Sequence, residues 1–207
     1  MNLTWHVRRL GGVELAAFSW RPPAPVRVAS TSVLGGGMGE RSWFLNASVP
    51  LAYAADDPAA DLLSLAGALG LRGEGVGMLT AKDVRRAVVE EDDGVQVVAT
   101  VGLGWPTWAA APPEAAARVA GVGTVNVLAV VPASLGDAAL VNAVATVTEA
   151  KVQALLEAGV PGTGTASDAV CVAAAGGGRP EAYGGPRSRW GAPLARAVHR
   201  AVLRGAA

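Results

Sequence analysis

One predicted helix carries a row of polar side chains that could serve a reaction site. Asn142, Thr146, Glu149 and Gln153 are spaced four, three and four residues apart, which places them on one helical face. The helix is otherwise apolar nearly all round, so we expect it to be buried and the row to line a site, because buried polar groups need partners. The alternative is an ordinary amphipathic helix with a solvated face. Lys151 lies about 200° around the helix from Glu149 and should point elsewhere.

A second set of polar residues lies in a short turn rich in glycine and threonine. The turn, Gly162-Thr163-Gly164-Thr165-Ala166-Ser167-Asp168, precedes an apolar strand. Its glycines let the backbone approach a ligand closely, and successive N–H groups in such a turn can bind an anion. Asp168 adds a hydrogen-bond acceptor or general base. The turn therefore suits a developing oxyanion beside an activated water, although the same residues also serve plain turn geometry.

The polar row and the turn must be positioned by other elements of the fold. The first half of the chain is rich in predicted strands. Gly11-Gly12 predicts a hairpin between the first two strands. Gly35-Gly36-Gly37 follows the third, where the backbone can take a positive φ. The predicted strands are LTWHVRRL, VELAAFSW, VRVASTSVL, SWFLNASVPLAY, GVGMLTAKDV, RRAVVEE, VQVVATVGL, TVNVLAVVP and the run around AVCVAAA.

Three helices are predicted between and after these strands. The first begins at Asp57-Pro58, with Asp57 as N-cap, and ends near Gly70. The second is the long helix Leu135–Ala158, with Ser134 and Asp137 as a capping box, and the third is Pro193–Leu203. Strands first, then alternating strand and helix, predict an α/β or α+β layered single domain over residues 1–207. We expect a central mixed β-sheet, one long buried helix and a C-terminal helix.

Composition excludes several classes of partner. Lys plus Arg equals Asp plus Glu at 17 each, so no basic excess favours nucleic acid. Cys171 is the only cysteine, which precludes an intrachain disulfide. No apolar run approaches the ~20 residues of a membrane span, and the first residues do not read as a signal peptide. We therefore expect a cytoplasmic protein without membrane or nucleic-acid partners; homo-oligomerisation stays open.

The order of several motifs resembles the adenosylcobinamide amidohydrolase family. The specific part is the second half of the chain, from Gly123-Thr124-Val125-Asn126 to the turn that ends at Asp168. Between them lie Ala139–Ala143 and Thr148–Lys151, and upstream lie Gly35–Gly37, Asn46 within FLNASVP, GVGMLTA and TVGL. The resemblance covers nearly the whole chain, from about Ser30 to Val202. Trp105 and the basic stretch Gly185–Gly191 depart from the usual pattern and could alter the substrate mouth.

The resemblance implies hydrolysis of the aminopropanol amide of adenosylcobinamide. The products would be adenosylcobyric acid and 1-amino-2-propanol, in the salvage of corrinoids for vitamin B12 synthesis. No separate cofactor is implied, because the cobalt belongs to the substrate. The rival functions are a corrinoid-binding module without catalysis and a hydrolase of another amide.

Amide hydrolysis needs an activated oxygen nucleophile, charge stabilisation on the tetrahedral oxygen, and a proton for the leaving amine. His6 and His199 lie in no convincing motif, and no GxSxG elbow occurs, so neither a serine triad nor a zinc site is expected. We therefore predict that Glu149 or Asp168 is the general base on water. The N–H groups of residues 162–165 would hold the oxyanion.

The remaining predicted site residues would bind or attack the substrate. Asn46, Asn126 and Asn142 would orient the substrate amide, and Trp105 with Trp108 could pack against the corrin from a loop or lid over Trp105–Ala117. A second mechanism makes Thr163 or Thr165 the nucleophile, including after a chain cleavage that exposes an N-terminal threonine. The predicted substrate-binding set is Gly35, Gly36, Gly37, Asn46, Asn126, Asn142, Gly162, Thr163, Gly164 and Trp105, and the predicted catalytic set is Glu149, Asp168 and Thr165, with no metal ligand.

Overall fold

A computed structural model describes residues 1–112 and 123–207. The strands are β1 Thr4–Leu10, β2 Val13–Trp20, β3 Val26–Ser30, β4 Gly37–Arg41, β5 Trp43–Ser48, β6 Gly75–Thr80, β7 Val88–Asp92, β8 Val95–Gly102, β9 Thr124–Val131 and β10 Ala169–Ala174. The helices are α1 Pro58–Ala68, α2 Asp137–Glu157 and α3 Gly191–Ala206, with a 3₁₀ turn at Val84–Arg86. No helix in these two ranges is long and apolar enough to cross a membrane.

The strands form two mixed sheets. The first has the order β1-β2-β5-β6, in which only β5 and β6 are parallel. The second has the order β4-β3-β10-β9-β8-β7, in which only β9 and β10 are parallel. The parallel register pairs Asn126 with Ala169, so the first residues of β9 lie beside the turn that ends at Asp168.

Three apolar clusters join these sheets and helices into four layers. One cluster packs α1 on the first sheet through Leu62 and Trp43. A second lies between the two sheets and includes Phe44 and Leu128. The third and largest packs α2 and α3 on the other face of the second sheet. Residues alternate along β9 as a strand requires, with Leu128 between the sheets and Val127 toward the helices.

The mixed α/β fold class is confirmed, and two local predictions hold in detail. Gly11 and Gly12 both have positive φ, as a two-residue hairpin turn with this twist requires. Asp57 caps α1 by accepting a hydrogen bond from Ala60 N at 2.9 Å, and Pro58 is the first helical residue. Each of these depends on one or two adjacent residues, which is why the sequence reveals them.

Three other predictions need correction. The expected central sheet is in fact two sheets packed face to face. Strand β4 was not predicted, since its glycines disfavour strand structure until β3 pairs with it. Helix α2 begins at Asp137 without a side-chain cap, so Ser134 and Asp137 do not form a capping box. The loop predicted over Trp105–Ala117 is described only to residue 112, and its remainder lies outside the described residues.

Candidate active site

A cavity of about 480 Å³ opens at one end of the gap between the two sheets. Its polar wall comes from the start of β9 and from the glycine–threonine turn that precedes β10. Its other wall comes from the segments after β3, β5 and β6. The lining residues are Thr31, Val33, Val49, Pro50, Tyr53, Pro58, Met78, Leu79, Thr80, Ala81, Thr124, Asn126, Ala166, Ser167, Asp168 and Ala169.

Asp168 is the most heavily hydrogen-bonded residue of this wall. Its Oδ2 accepts from Lys151 Nζ at 2.5 Å and from Thr165 N at 3.1 Å. Its Oδ1 contacts Thr165 Oγ1 at 2.6 Å and accepts from Val125 N at 2.8 Å. A carboxylate offers about four acceptor sites; three of these contacts come from N–H donors, and at the fourth the Thr165 hydroxyl has one proton for Asp168 and the Gly123 carbonyl together.

The ion pair of Asp168 with Lys151 is buried, with side-chain exposures of 11% and 8%. Gly164 makes room for it: a Cβ at that position would lie 2.3 Å from Asp168 Oδ2 and 2.6 Å from Lys151 Nζ. No L side chain can occupy the space without displacing the pair. This is the physical reason for a glycine at residue 164 of the turn.

A chain of hydroxyl groups crosses the start of β9. Thr124 Oγ1 and Ser167 Oγ are 2.7 Å apart, and Ser167 Oγ is also 3.0 Å from the carbonyl oxygen of Gly123. Thr165 Oγ1 contacts the same carbonyl oxygen at 2.7 Å. The peptide carbonyl that precedes Thr124 therefore receives hydroxyl contacts from two side chains.

A buried amide network lies deeper in the gap between the sheets. Asn126 Nδ2 donates to Asn46 Oδ1 at 3.0 Å and to the Leu79 carbonyl at 2.9 Å, and Asn46 Nδ2 donates to Thr100 Oγ1 at 3.0 Å. Asn126 is 2% exposed, yet its Oδ1 has no hydrogen-bond partner among the described residues. Asn126 also lines the cavity, so a buried acceptor without a partner belongs to a residue of the cavity wall.

The turn also holds the loop that carries the two candidate tryptophans. Thr107 pairs with it through a hydrogen bond to the Gly164 carbonyl and another from Thr163 N, both 2.8 Å. Thr163 Oγ1 accepts from Ala109 N at 2.9 Å. Trp105 and Trp108 flank Thr107 and are both exposed. The loop is thus fastened to the turn while its aromatic side chains face outward.

The polar row of α2 is not part of this cavity. Glu149, Gln153 and Thr146 line a separate groove of about 300 Å³ between α2 and α3. Asn142 is exposed and lies beside the segment at Gly185, away from Asn126 and Asn46. The expectation that Glu149 and Asp168 open into one cavity is therefore wrong, as is a shared role for the three asparagines.

Two further expected contacts are not formed. The backbone N–H groups predicted to hold an oxyanion are mostly engaged: Gly162 N bonds the Val160 carbonyl, Thr163 N bonds Thr107, and Thr165 N bonds Asp168. The lining of the cavity includes Thr31 and Val33 but not the three glycines at 35–37 that follow them. Instead the carbonyl of Gly35 accepts from the Arg41 guanidinium.

Two residues of this site are absent from the predicted set. The sequence predicts that Lys151 points away from Glu149, and this opposition turns Lys151 toward Asp168. Thr124 appears in the sequence only as part of a family-like motif, whereas the structure places it in the cavity wall. Its position at the start of a buried strand, next to Gly123, was the available signal.

The remaining reactive side chains lie elsewhere. Cys171 is fully buried, and burial raises the pKa of its thiol to about 12. His6 contacts Ser19 in the first sheet, and His199 contacts Glu157 between the helices. Within the described ranges, no three His, Cys, Asp or Glu side chains are grouped as a metal site would need.

Comparison with known proteins identifies the family. The family model described as "Adenosylcobinamide amidohydrolase" matches residues 6–207. The chain belongs to the adenosylcobinamide amidohydrolase family. The family predicted from the motifs is therefore confirmed, and the match includes both the β9 start and the glycine–threonine turn.

Two curated relatives bear the family's name. An adenosylcobinamide amidohydrolase from Methanosarcina mazei is 32% identical over 145 residues, which is 70% of this chain and 68% of the relative. One from Halobacterium salinarum is 39% identical over 130 residues, which is 60% of this chain and 55% of the relative. The matched segment thus spans little more than half of the second relative.

Solved structures with a similar fold are distant in sequence. The PH0078 protein from Pyrococcus horikoshii matches with a TM-score of 0.51 at 10% identity, over 98% of this chain and 83% of that one. The L-aminopeptidase D-Ala-esterase/amidase from Ochrobactrum anthropi, described as a variant of the Ntn hydrolase fold, matches with a TM-score of 0.46 at 12% identity, over 98% and 82%. The first of these similarities extends to the fold alone.

Proposed function

We propose that this protein hydrolyses the aminopropanol amide of adenosylcobinamide in the cavity at the open end of the two sheets. The products are adenosylcobyric acid and 1-amino-2-propanol, and the reaction serves corrinoid salvage. The family match over residues 6–207 carries the reaction. The placement of the family-like motifs around one cavity, with Thr124, Asn126 and Asp168 in its wall, carries the site.

The cavity suits the small arm of the substrate rather than the whole corrinoid. Its volume of about 480 Å³ is in the range of small-molecule sites. The apolar wall at Val33, Val49 and Met78 faces a polar wall of hydroxyl, amide and carboxylate groups. An aminopropanol amide has the same mixture, with a methyl group, a hydroxyl and an amide. The flat corrin would remain outside the cavity, and exposed Trp105, on the loop held by the glycine–threonine turn, would pack against it.

Asn126 is the residue best placed to recognise the scissile amide. Both hydrogens of its Nδ2 are committed, to Asn46 Oδ1 and to the Leu79 carbonyl, so the side chain cannot rotate freely. Its free Oδ1 would accept the N–H of the substrate amide. Removing such an acceptor leaves a buried donor unsatisfied, which costs about 1–3 kcal/mol.

In this proposal Asp168 positions neighbouring groups and is not the general base. Three of its four acceptor sites are engaged by N–H donors, one of them the buried ammonium of Lys151, and the Thr165 hydroxyl lies against the fourth. Taking a proton from water would require breaking one of these contacts. Its role is to hold Thr165 and the turn against the start of β9. Glu149, in the other groove, has no part in the reaction.

The cofactor and the location follow from the same proposal. The hydrolysis needs no resident cofactor, since cobalt arrives with the substrate. A cytoplasmic enzyme fits a role in corrinoid salvage.

Product analysis tests the function. Purified protein is incubated with adenosylcobinamide, and mass spectrometry follows adenosylcobyric acid and 1-amino-2-propanol. Asp168→Asn should lower turnover by about 10²-fold or more, comparable to losing one preorganised site contact. Asp137→Asn removes the same charge from an exposed pair with Arg27 and should leave turnover unchanged. Binding of adenosylcobinamide without amine release would instead indicate a carrier, and neither binding nor release would indicate another amide substrate.

A further inference from the structure

The peptide bond between Gly123 and Thr124 has an unusual environment. Its carbonyl oxygen lies 2.7 Å from Thr165 Oγ1 and 3.0 Å from Ser167 Oγ. Hydrogen-bond donors on one carbonyl oxygen polarise it and stabilise negative charge there if a nucleophile adds to the carbon. Gly123 itself admits no side chain, since a Cβ would lie 2.9 Å from the Gly102 carbonyl oxygen.

A hydroxyl nucleophile is attached to the same bond. Thr124 Oγ1 is 2.7 Å from Ser167 Oγ. Ser167 can give its one proton to the Gly123 carbonyl while accepting the proton of Thr124. Thr165 has one proton for two acceptors, Gly123 and Asp168. Ser167 is therefore the group that can relay a proton from the nucleophile to the carbonyl oxygen.

We infer that the chain cleaves itself between Gly123 and Thr124 and that the new N-terminal Thr124 is the nucleophile of the amidohydrolase. Thr124 Oγ1 attacks the Gly123 carbonyl carbon while its proton passes to Ser167, and the proton of Ser167 passes to the carbonyl oxygen. Collapse of this adduct breaks the C–N bond and delivers that proton to the departing nitrogen. The resulting ester is hydrolysed by water to the Gly123 carboxylate and a free Thr124 hydroxyl.

The cleaved form completes the candidate active site. It places a primary amine on the same residue as a hydroxyl in the cavity wall, and an N-terminal amine can serve as the base for its own threonine hydroxyl. Thr124 lies two residues before Asn126 on one strand, so both side chains point into the gap between the sheets. This second step rests on the proposed function; the cleavage does not.

The neighbouring glycine–threonine bonds lack this environment. The carbonyl of Gly164 accepts a backbone hydrogen bond from Thr107 N at 2.8 Å, as part of the contact between the loop and the turn. Thr163 Oγ1 is engaged with Ala109 N and lies 3.4 Å from the Thr107 carbonyl. The geometry thus selects Gly123–Thr124 over the two bonds expected from the sequence.

Intact-mass measurement under denaturing conditions, followed over days after purification, tests the cleavage. Two species are expected, one ending at Gly123 and one beginning at Thr124, with terminal sequencing of the second. Thr124→Ala should abolish cleavage and Thr124→Ser should retain it. Ser167→Ala should slow it by roughly 10²-fold or more. Thr148→Ala, an exposed threonine whose hydroxyl bonds the Val144 carbonyl, is the matched control and should cleave normally.

Several results would overturn the inference. They are a single full-length species, a cut at another bond, or cleavage of the Thr124→Ala variant at the wild-type rate by a contaminating protease. Circular dichroism on the same samples distinguishes failure to fold, and the serine variant keeps the test valid if alanine unfolds the protein. Amide hydrolysis by an uncleaved chain would refute this inference alone. A cleaved chain that releases no aminopropanol would refute the proposed function alone.

Discussion

Gly164→Ala would add one methyl group at the most crowded polar contact of the site. The new Cβ would lie 2.3 Å from Asp168 Oδ2 and 2.6 Å from Lys151 Nζ, well inside van der Waals contact. The φ of Gly164 is not in the left-handed region, so alanine meets no backbone penalty there. The effect of the substitution therefore reports on the buried ion pair and its packing.

The magnitude follows from two costs. Overpacking a well-filled interior costs about 1–3 kcal/mol, and depriving a buried charge of its partner costs about 3–5 kcal/mol. The methyl group displaces the pair without deleting either member, so we expect a loss of about 2–4 kcal/mol in the free energy of unfolding. For a chain of 207 residues this lowers Tm by roughly 5–15 °C.

Thermal and urea unfolding measure this change, and the chain supplies its own control. Gly67 lies on the exposed side of α1, and a Cβ there meets nothing within 4 Å. Gly67→Ala should therefore stabilise the protein by about 0.5–1 kcal/mol through helix propensity. The same added methyl group is thus expected to lower the free energy of unfolding at residue 164 and to raise it at residue 67.

A Gly164→Ala protein as stable as the wild type would refute the reasoning. It would mean that the ammonium and the carboxylate can separate without cost, which a rigid buried pair cannot do. Stability that falls equally in Gly67→Ala would show that loss of a glycine, rather than the ion pair, causes the effect.

Two other predictions concern titratable groups outside the cavity. Burial raises the pKa of the Cys171 thiol to about 12, so the native protein should resist alkylation by iodoacetamide at pH 8 and react once unfolded; rapid labelling of the native protein would contradict its burial. The Arg196 hydrogen bond, followed by that of Arg200, lowers the pKa of Asp92. A depressed carboxyl pKa stabilises the fold above the ordinary value of about 3.9 and loses that contribution as pH falls through the folded value. The midpoint of urea unfolding should therefore differ less between pH 7 and pH 3 in Asp92→Asn than in the wild type. An equal difference in the two proteins would show that Asp92 does not contribute to the loss of stability in acid.

Local chemistry made the short-range features predictable. The cap at Asp57 and the Gly11-Gly12 hairpin depend on neighbours in the chain, and both are found where predicted. The turn at residues 162–168 is also predictable from the sequence, because successive glycines and hydroxyl residues favour turns. The division of the strands between two sheets was not readable, since it depends on pairings between distant segments.

Which face of α2 meets the turn is a second feature that depends on contacts between distant segments. Helical geometry correctly separates Glu149 from Lys151, but it does not say which face meets the turn. That depends on how α2 packs on β10 and α3, which put Lys151 against Asp168 and Glu149 in the groove with α3. A lysine on an apolar helix is costly to bury without a carboxylate, so a buried partner for Lys151 was the signal in the sequence that the prediction did not use.

Thr124 became a candidate only through long-range pairing. In sequence it precedes Asp168 by 44 residues, and nothing local connects them. Parallel pairing of β9 with β10 brings the strand starts together, so the Gly123 carbonyl meets the hydroxyls of the turn. The order of the motifs along the chain indicates the family. The contact between the Gly123 carbonyl and the turn depends on the fold, because it joins segments that are distant in sequence.

Amine release by two tryptophan variants tests most directly whether the cavity is where the amide is cut. Val33 is 55% exposed and lines the cavity, while Val141 is 58% exposed on α2 and lies outside it. With adenosylcobinamide as substrate, Val33→Trp should release 1-amino-2-propanol far more slowly than the wild type, and Val141→Trp should match the wild type. Equal release by all three proteins would place the reaction elsewhere and contradict the assignment of this cavity.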